Sequence, residues 1–94
     1  MKAELVFRQR IRLDDIGFAE LVVWQLPRPL IGSTHPFKYR LAYIENEICL
    51  IRYDNEAGKG DHRHVGRKEA MYSFVDIDQL MVDFWNDVHQ WRQT

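Results

Sequence analysis

The stretch Arg52-Tyr53-Asp54-Asn55-Glu56-Ala57-Gly58-Lys59-Gly60-Asp61-His62-Arg63-His64-Val65-Gly66 concentrates the side chains best suited to chemistry. His62 and His64 can exchange a proton near neutral pH, and Lys59 and Arg63 supply cationic donors. Two glycines flank Lys59, letting the backbone approach a ligand closely and present its N–H groups. Phosphate is the ligand class that this mixture suits. Plainer readings stay open: a solvated loop whose polar residues serve turn formation, or a metal site in which His62 and His64 share a face, with Asp61 or Asp54 nearby. Closed zinc sites usually take four Cys or His ligands, and no other such pair is spaced to complete one. Lys59-Gly60 is not a nucleotide phosphate loop, because the longer glycine spacing and the following Ser or Thr are absent.

A second constellation lies in the strand-like segments. Arg8, Arg10 and Arg12 alternate and project together, and Lys38, Arg40 and Arg52 join them if the strand registers agree. Such a face could track a sugar-phosphate backbone, with Tyr39, Tyr43 or Tyr53 as stacking surfaces. An ordinary wet sheet face is the alternative. The formal net charge of −1, from 13 basic and 14 acidic residues, does not exclude a nucleic-acid partner. The charge is segregated: basic residues crowd the first strand, while Asp76, Asp78, Asp83 and Asp87 crowd the last helix.

These groups need a scaffold, and the periodicity supplies one. Residues 2–13 alternate, with Ala3, Leu5, Phe7, Ile11 and Leu13 on the apolar parity. Asp14-Asp15-Ile16-Gly17 has turn chemistry, and Phe18 to Leu26 forms a second strand ended by Pro27-Arg28-Pro29. Phe37, Tyr39, Leu41 and Tyr43 share a face, and Ile48 to Asp54 alternates again after Glu45-Asn46-Glu47, giving a hairpin. Asn55 to Lys68 reads as a long surface loop, and Met71 to Phe74 as a short fifth strand. The period then changes: Ile77, Leu80, Met81, Phe84, Val88 and Trp91 form one helical stripe. Asp76 is placed to cap this helix, Gln79 to complete an Asp-x-x-Gln box, and Val75 to staple onto Leu80. The expected architecture is α+β, one domain over 1–94, with an antiparallel sheet of four or five strands packed on one C-terminal helix. Trp24, Trp85 and Cys49 read as packed side chains. With one cysteine, no apolar run long enough to span a membrane and no secretory signal pattern, the expected location is the cytoplasm. A single helix need not cover the whole sheet, which leaves room for a homodimer.

At Arg52-Tyr53-Asp54-Asn55 and Gly58-Lys59-Gly60-Asp61-His62-Arg63-His64 the chain resembles the TumE family of toxin–antitoxin proteins. The likeness extends upstream through His35-Pro36-Phe37-Lys38-Tyr39-Arg40 and downstream to Phe74-Val75 and the Asp-rich helix. The resemblance implies a small toxin made beside an antitoxin that is typically a DNA-binding protein, and marks Tyr53, Asp54, Asn55 and the residues from Gly58 to His64 as a signature without assigning roles. The chemistry expected on that basis is metal-independent endoribonuclease cleavage with no cofactor, in which a 2′-hydroxyl attacks the adjacent phosphate. His62 and His64 would act as base and acid, and Lys59 and Arg63 would stabilise the phosphorane. Asp54 or Asp61 would orient a histidine. Arg8, Arg10 and Arg40 would hold the RNA, with Arg52, Tyr53, Asp54 and Asn55 completing its contacts. The alternative is a non-catalytic protein- or nucleic-acid-binding module of a regulatory pair.

Overall fold

A computed structural model describes residues 2–93. Six strands form an antiparallel meander in chain order: β1 (Glu4–Arg12), β2 (Gly17–Gln25), β3 (Phe37–Glu45), β4 (Ile48–Glu56), β5 (Gly60–Val65) and β6 (Lys68–Met71). Helix α1 (Ile77–Arg92) then packs back against β4. The α+β class and the single C-terminal helix agree with the sequence pattern, and the sheet has six strands rather than four or five.

The correction falls on residues 55–68, which form ordered hairpins rather than a long loop. β4 continues to Glu56, a short turn carries Gly58 (φ 79°), and β5 starts at Gly60 (φ 76°). A two-residue turn at Gly66-Arg67 leads into β6, with Gly66 at φ 62°, a conformation that an L-residue adopts only at a cost. The short strand expected at Met71 to Phe74 lies earlier, at Lys68–Met71; the Tyr72 N–H still donates to the Asp61 carbonyl at 3.0 Å, and residues 73–76 belong to no strand. β1 also departs from simple alternation. Its register shifts between Leu5 and Phe7, so Leu5 pairs with Trp24 while Phe7 pairs with Val23, and Leu5 turns to the opposite face from Phe7 and Ile11.

One sheet face is apolar and carries the helix. Ala19, Leu21, Val23, Tyr39, Leu41, Tyr43, Ile51 and Tyr53 meet Leu80, Phe84 and Val88 there, with Phe7, Ile11, Phe37, Met81, Trp85 and Trp91 at the margins. Burying Leu80, Phe84 and Val88 contributes roughly 1.5–3 kcal/mol each, which is why the predicted stripe faces inward. Cys49, by contrast, is exposed, and Trp24 is half-buried on the other sheet face.

The helix start follows the expected cap in part. The Asp76 carboxylate accepts from the Gln79 backbone N–H at 2.7 Å. The Gln79 side chain donates to Asp83 at 2.8 Å instead of closing the box, and Val75 remains 70% exposed rather than stapling. Asp76→Ala is therefore expected to destabilise the domain by about 1 kcal/mol through the cap alone. Chemical denaturation should show a lower midpoint with an unchanged slope; an unchanged midpoint would remove the cap from the account.

Candidate functional site

Strand pairing places the candidate residues in two ladder rows on the face that carries no helix. Across the strands from β1, one row reads Arg8, Val22, Arg40, Asp54, His62 and Met71. The adjacent row reads Arg10, Glu20, Ala42, Arg52, His64 and Glu69. Residues opposite one another in an antiparallel pair point to the same side, so Arg8, Arg10, Arg40, Arg52, Asp54, His62 and His64 converge on one surface. The four strand spacings from β1 to β5 cover about 19 Å.

The histidines line a shallow depression of about 440 Å3 together with Arg52, Lys59 and Glu69. Arg52 donates from Nη2 to His64 Nε2 at 3.0 Å. A guanidinium has no lone pair to offer, so Nε2 must be the accepting nitrogen and the ring proton sits on Nδ1. That nitrogen faces Glu69 Oε2 at 3.9 Å. His62 is held differently: Nε2–H donates to the Lys59 carbonyl at 2.7 Å, and Nδ1 lies 3.4 Å from Glu69 Oε1. Both His62 nitrogens thus face acceptors, an arrangement that a ring protonated on both can satisfy fully. Arg52 Nε sits 3.2 Å from Asp54 Oδ2 but makes no aligned hydrogen bond. Lys59 carries a 71% exposed side chain, 3.5 Å from Glu56.

The intervening signature residues point the other way. Asp61 is buried and accepts from Tyr39 Oη at 2.6 Å and His35 Nε2 at 2.9 Å. The Phe37 N–H donates to His35 Nδ1 at 3.2 Å, which fixes that ring's tautomer. Phe74 stacks on the His35 ring, with centroids 3.8 Å apart. Asn55 accepts the Tyr39 N–H at 3.0 Å and donates to the Phe37 carbonyl at 2.6 Å, so its amide substitutes for ladder bonds between β3 and β4. Arg63 donates to Asp87 Oδ1 on α1 at 2.8 Å, and the Tyr53 hydroxyl donates to Asp87 Oδ2. Burial opposes the Arg63 charge, but Tyr53 and Asp87 outweigh it and hold the guanidinium above its ordinary pKa. Tyr39, Tyr43 and Tyr53, expected as stacking surfaces, are buried on the apolar face instead.

The signature therefore divides by strand parity. Arg52, Asp54, His62 and His64, with Lys59 in the connecting turn, serve the open face; Tyr53, Asn55, Asp61 and Arg63 fasten the helix face and the β2–β3 loop. Sequence reasoning missed Glu69, which sits across the Gly66-Arg67 turn from His64. A glycine opening a two-residue hairpin turn is the signal that would have found it. It also missed His35. A separate depression of about 480 Å3 near Glu4, Gln25 and Pro27 has no histidine or arginine in its lining. Among the described residues no group of three or more His, Cys, Asp or Glu side chains is arranged to hold a metal ion.

Fold and site define a small α+β domain with a helix-backed sheet whose free face carries a cationic, histidine-bearing surface. Residues 2–92 match the family described as Toxin TumE, nearly the whole chain. The protein belongs to this toxin family, and membership implies an antitoxin partner. Comparison with curated proteins and with solved structures gives no match. No helix among the described residues is long and apolar enough to cross a membrane.

Proposed function

We propose that this toxin cleaves RNA by metal-independent transesterification on the open sheet face. The observation that carries the proposal is the pair of ladder rows joining His62 and His64 to Arg8, Arg10, Arg40 and Arg52. Phosphate binding needs fixed positive charge, and proton transfer near neutral pH needs histidine within reach; both occupy one surface.

In this reading a phosphate oxygen draws the Arg52 guanidinium away from His64, freeing the Nε2 lone pair. His64 then takes the proton of the ribose 2′-hydroxyl as its oxygen attacks the adjacent phosphorus. His62 gives a proton to the departing 5′-oxygen, leaving a 2′,3′-cyclic phosphate on one fragment and a 5′-hydroxyl on the other. Lys59 and Arg52 stabilise the charge of the phosphorane. Glu69 orients both rings through their Nδ1 nitrogens, the role that the sequence had offered to Asp54 or Asp61. Arg63 and Asp61 act through the scaffold.

The test is incubation of the purified protein with single-stranded RNA in the presence of chelator. Cleavage should persist, yield cyclic-phosphate ends, and stop at any position where the 2′-hydroxyl is replaced by hydrogen. Cleavage that chelator abolishes, or that ignores the 2′-deoxy substitution, would overturn the mechanism; RNA left intact under all conditions would favour the non-catalytic binding role.

A further inference from the structure

The depression at the histidines does not end there. It shares Asp54 and Glu56 with a second depression that reaches Trp24 and Arg40. The second shares Val22 and Arg40 with a third, which reaches Arg8 and Arg10. The three form one shallow trough crossing the open face from β6 to β1, perpendicular to the strands.

The aromatic side chains of the open face are not equivalent. Phe18 has Arg10 4.3 Å and Arg12 5.7 Å from its ring centroid, so cations already occupy it. Trp24 has Arg8 5.6 Å from its ring centroid, and this half-buried side chain lines the trough wall. Lys38 stands directly across from Trp24 in the β2–β3 register, but its ammonium is turned onto the Asn55 carbonyl. The trough thus presents an indole ring beside the Arg8 and Arg40 cations, several strands away from the histidines. A nucleic-acid base can stack there only if it has left a duplex, because paired bases keep their faces covered.

We propose that Trp24 is a base-stacking subsite that makes the trough selective for single-stranded RNA extending beyond the cleaved bond toward β1. This rests on the RNA reading above and adds the substrate class. Arg8 and Arg40 hold neighbouring phosphates, and Trp24 stacks one base beside them. Loss of one such stack weakens binding by about 5- to 150-fold.

The test uses RNA methylated at every 2′-oxygen, which cannot undergo the transesterification, so binding is read without cleavage. Fluorescence anisotropy is measured with a dinucleotide, with longer single strands and with a duplex, on the parent protein, Trp24→Ala and Trp24→Phe. Long single strands should bind the parent more tightly than the dinucleotide or the duplex. Trp24→Ala should weaken long-strand binding by about 5-fold or more, and Trp24→Phe should restore most of it. Equal affinity for duplex and single strand, or an unchanged affinity in Trp24→Ala, would overturn the subsite even if unmethylated RNA is cleaved. Strong Trp24-dependent binding with no cleavage of unmethylated RNA would instead support the subsite and remove the proposed reaction.

Discussion

Replacing His64 with glutamine is expected to slow RNA cleavage by about 100- to 10,000-fold and to relieve growth inhibition, while leaving the thermal midpoint nearly unchanged. His62→Gln should behave similarly. The reason lies in what these rings touch. His64 meets Arg52 and Glu69, and His62 meets the Lys59 carbonyl and Glu69. None of these partners belongs to the core, so the substitutions fall among surface changes worth within about 0.5 kcal/mol. Base and acid also leave separate marks on the pH profile. The parent should show a bell-shaped dependence of kcat/KM, and each single variant should lose one limb. The control is Asp61→Ala, which would leave the buried donors of His35 and Tyr39 without an acceptor. That loss costs roughly 1–3 kcal/mol or more, so Asp61→Ala should fail through stability first. Full activity in His64→Gln, or loss of activity only in step with unfolding, would defeat the assignment of chemistry to the open face.

The contrast between these variants follows from the two-residue period of a strand. In a continuous run such as Arg52 to Asn55, or Asp61 to His64, adjacent side chains serve opposite faces. Residues that look like one cluster in the sequence are therefore two systems. One faces a prospective substrate, while the other locks α1 and the β2–β3 loop onto the sheet through Arg63–Asp87, Tyr53–Asp87 and Asp61–His35. A signature of this kind records fold and site together, and only register separates them.

Much of the scaffold was legible from periodicity. The apolar parity of β3, the stripe from Ile77 to Trp91 and the Asp76 cap all depend on local pattern and appear as predicted. Residues 55–68 were misread because β5 and β6 are polar on both faces. On the helix-side face, Asp61 meets the Tyr39 hydroxyl of β3 and Arg63 meets Asp87 of α1, both polar contacts, so no apolar alternation advertises a strand. The parity of Leu5 failed at a bulge, which composition does not reveal. The convergence of Arg8 and Arg10 with His62 and His64 could be posed from sequence but depended on four strand registers. Tyr39, Tyr43 and Tyr53 instead lie on the apolar face, where Asp61, Glu45 and Asp87 accept from their hydroxyls.

Those tyrosines make the domain labile to alkali. Burial, followed by hydrogen bonding to Asp61, raises the Tyr39 pKa far above the ordinary value, and burial with hydrogen bonding to Asp87 does the same for Tyr53. Tyr72 is raised in the same sense by burial and Asp83. Above the ordinary tyrosine value of about 10, the unfolded chain has released protons that the fold retains. It binds fewer protons than the native state, so stability falls as pH rises. Each fully buried tyrosine contributes about 1.4 kcal/mol per pH unit to that fall, so Tyr39 and Tyr53 together contribute roughly 3. A domain of this size holds roughly 5–14 kcal/mol. At the lower end of that range it is expected to unfold cooperatively within about two pH units above 10, with tyrosinate absorbance rising together with loss of far-ultraviolet circular dichroism. Tyr53→Phe sharpens the test because its two effects have opposite signs. It removes a hydrogen bond to a carboxylate, lowering stability at neutral pH by about 1.5–3 kcal/mol, yet it removes one of the retained protons and so flattens the alkaline slope. Gradual tyrosine ionisation in a folded protein, or an equally steep slope in Tyr53→Phe, would show that these buried hydroxyls do not couple their protons to folding.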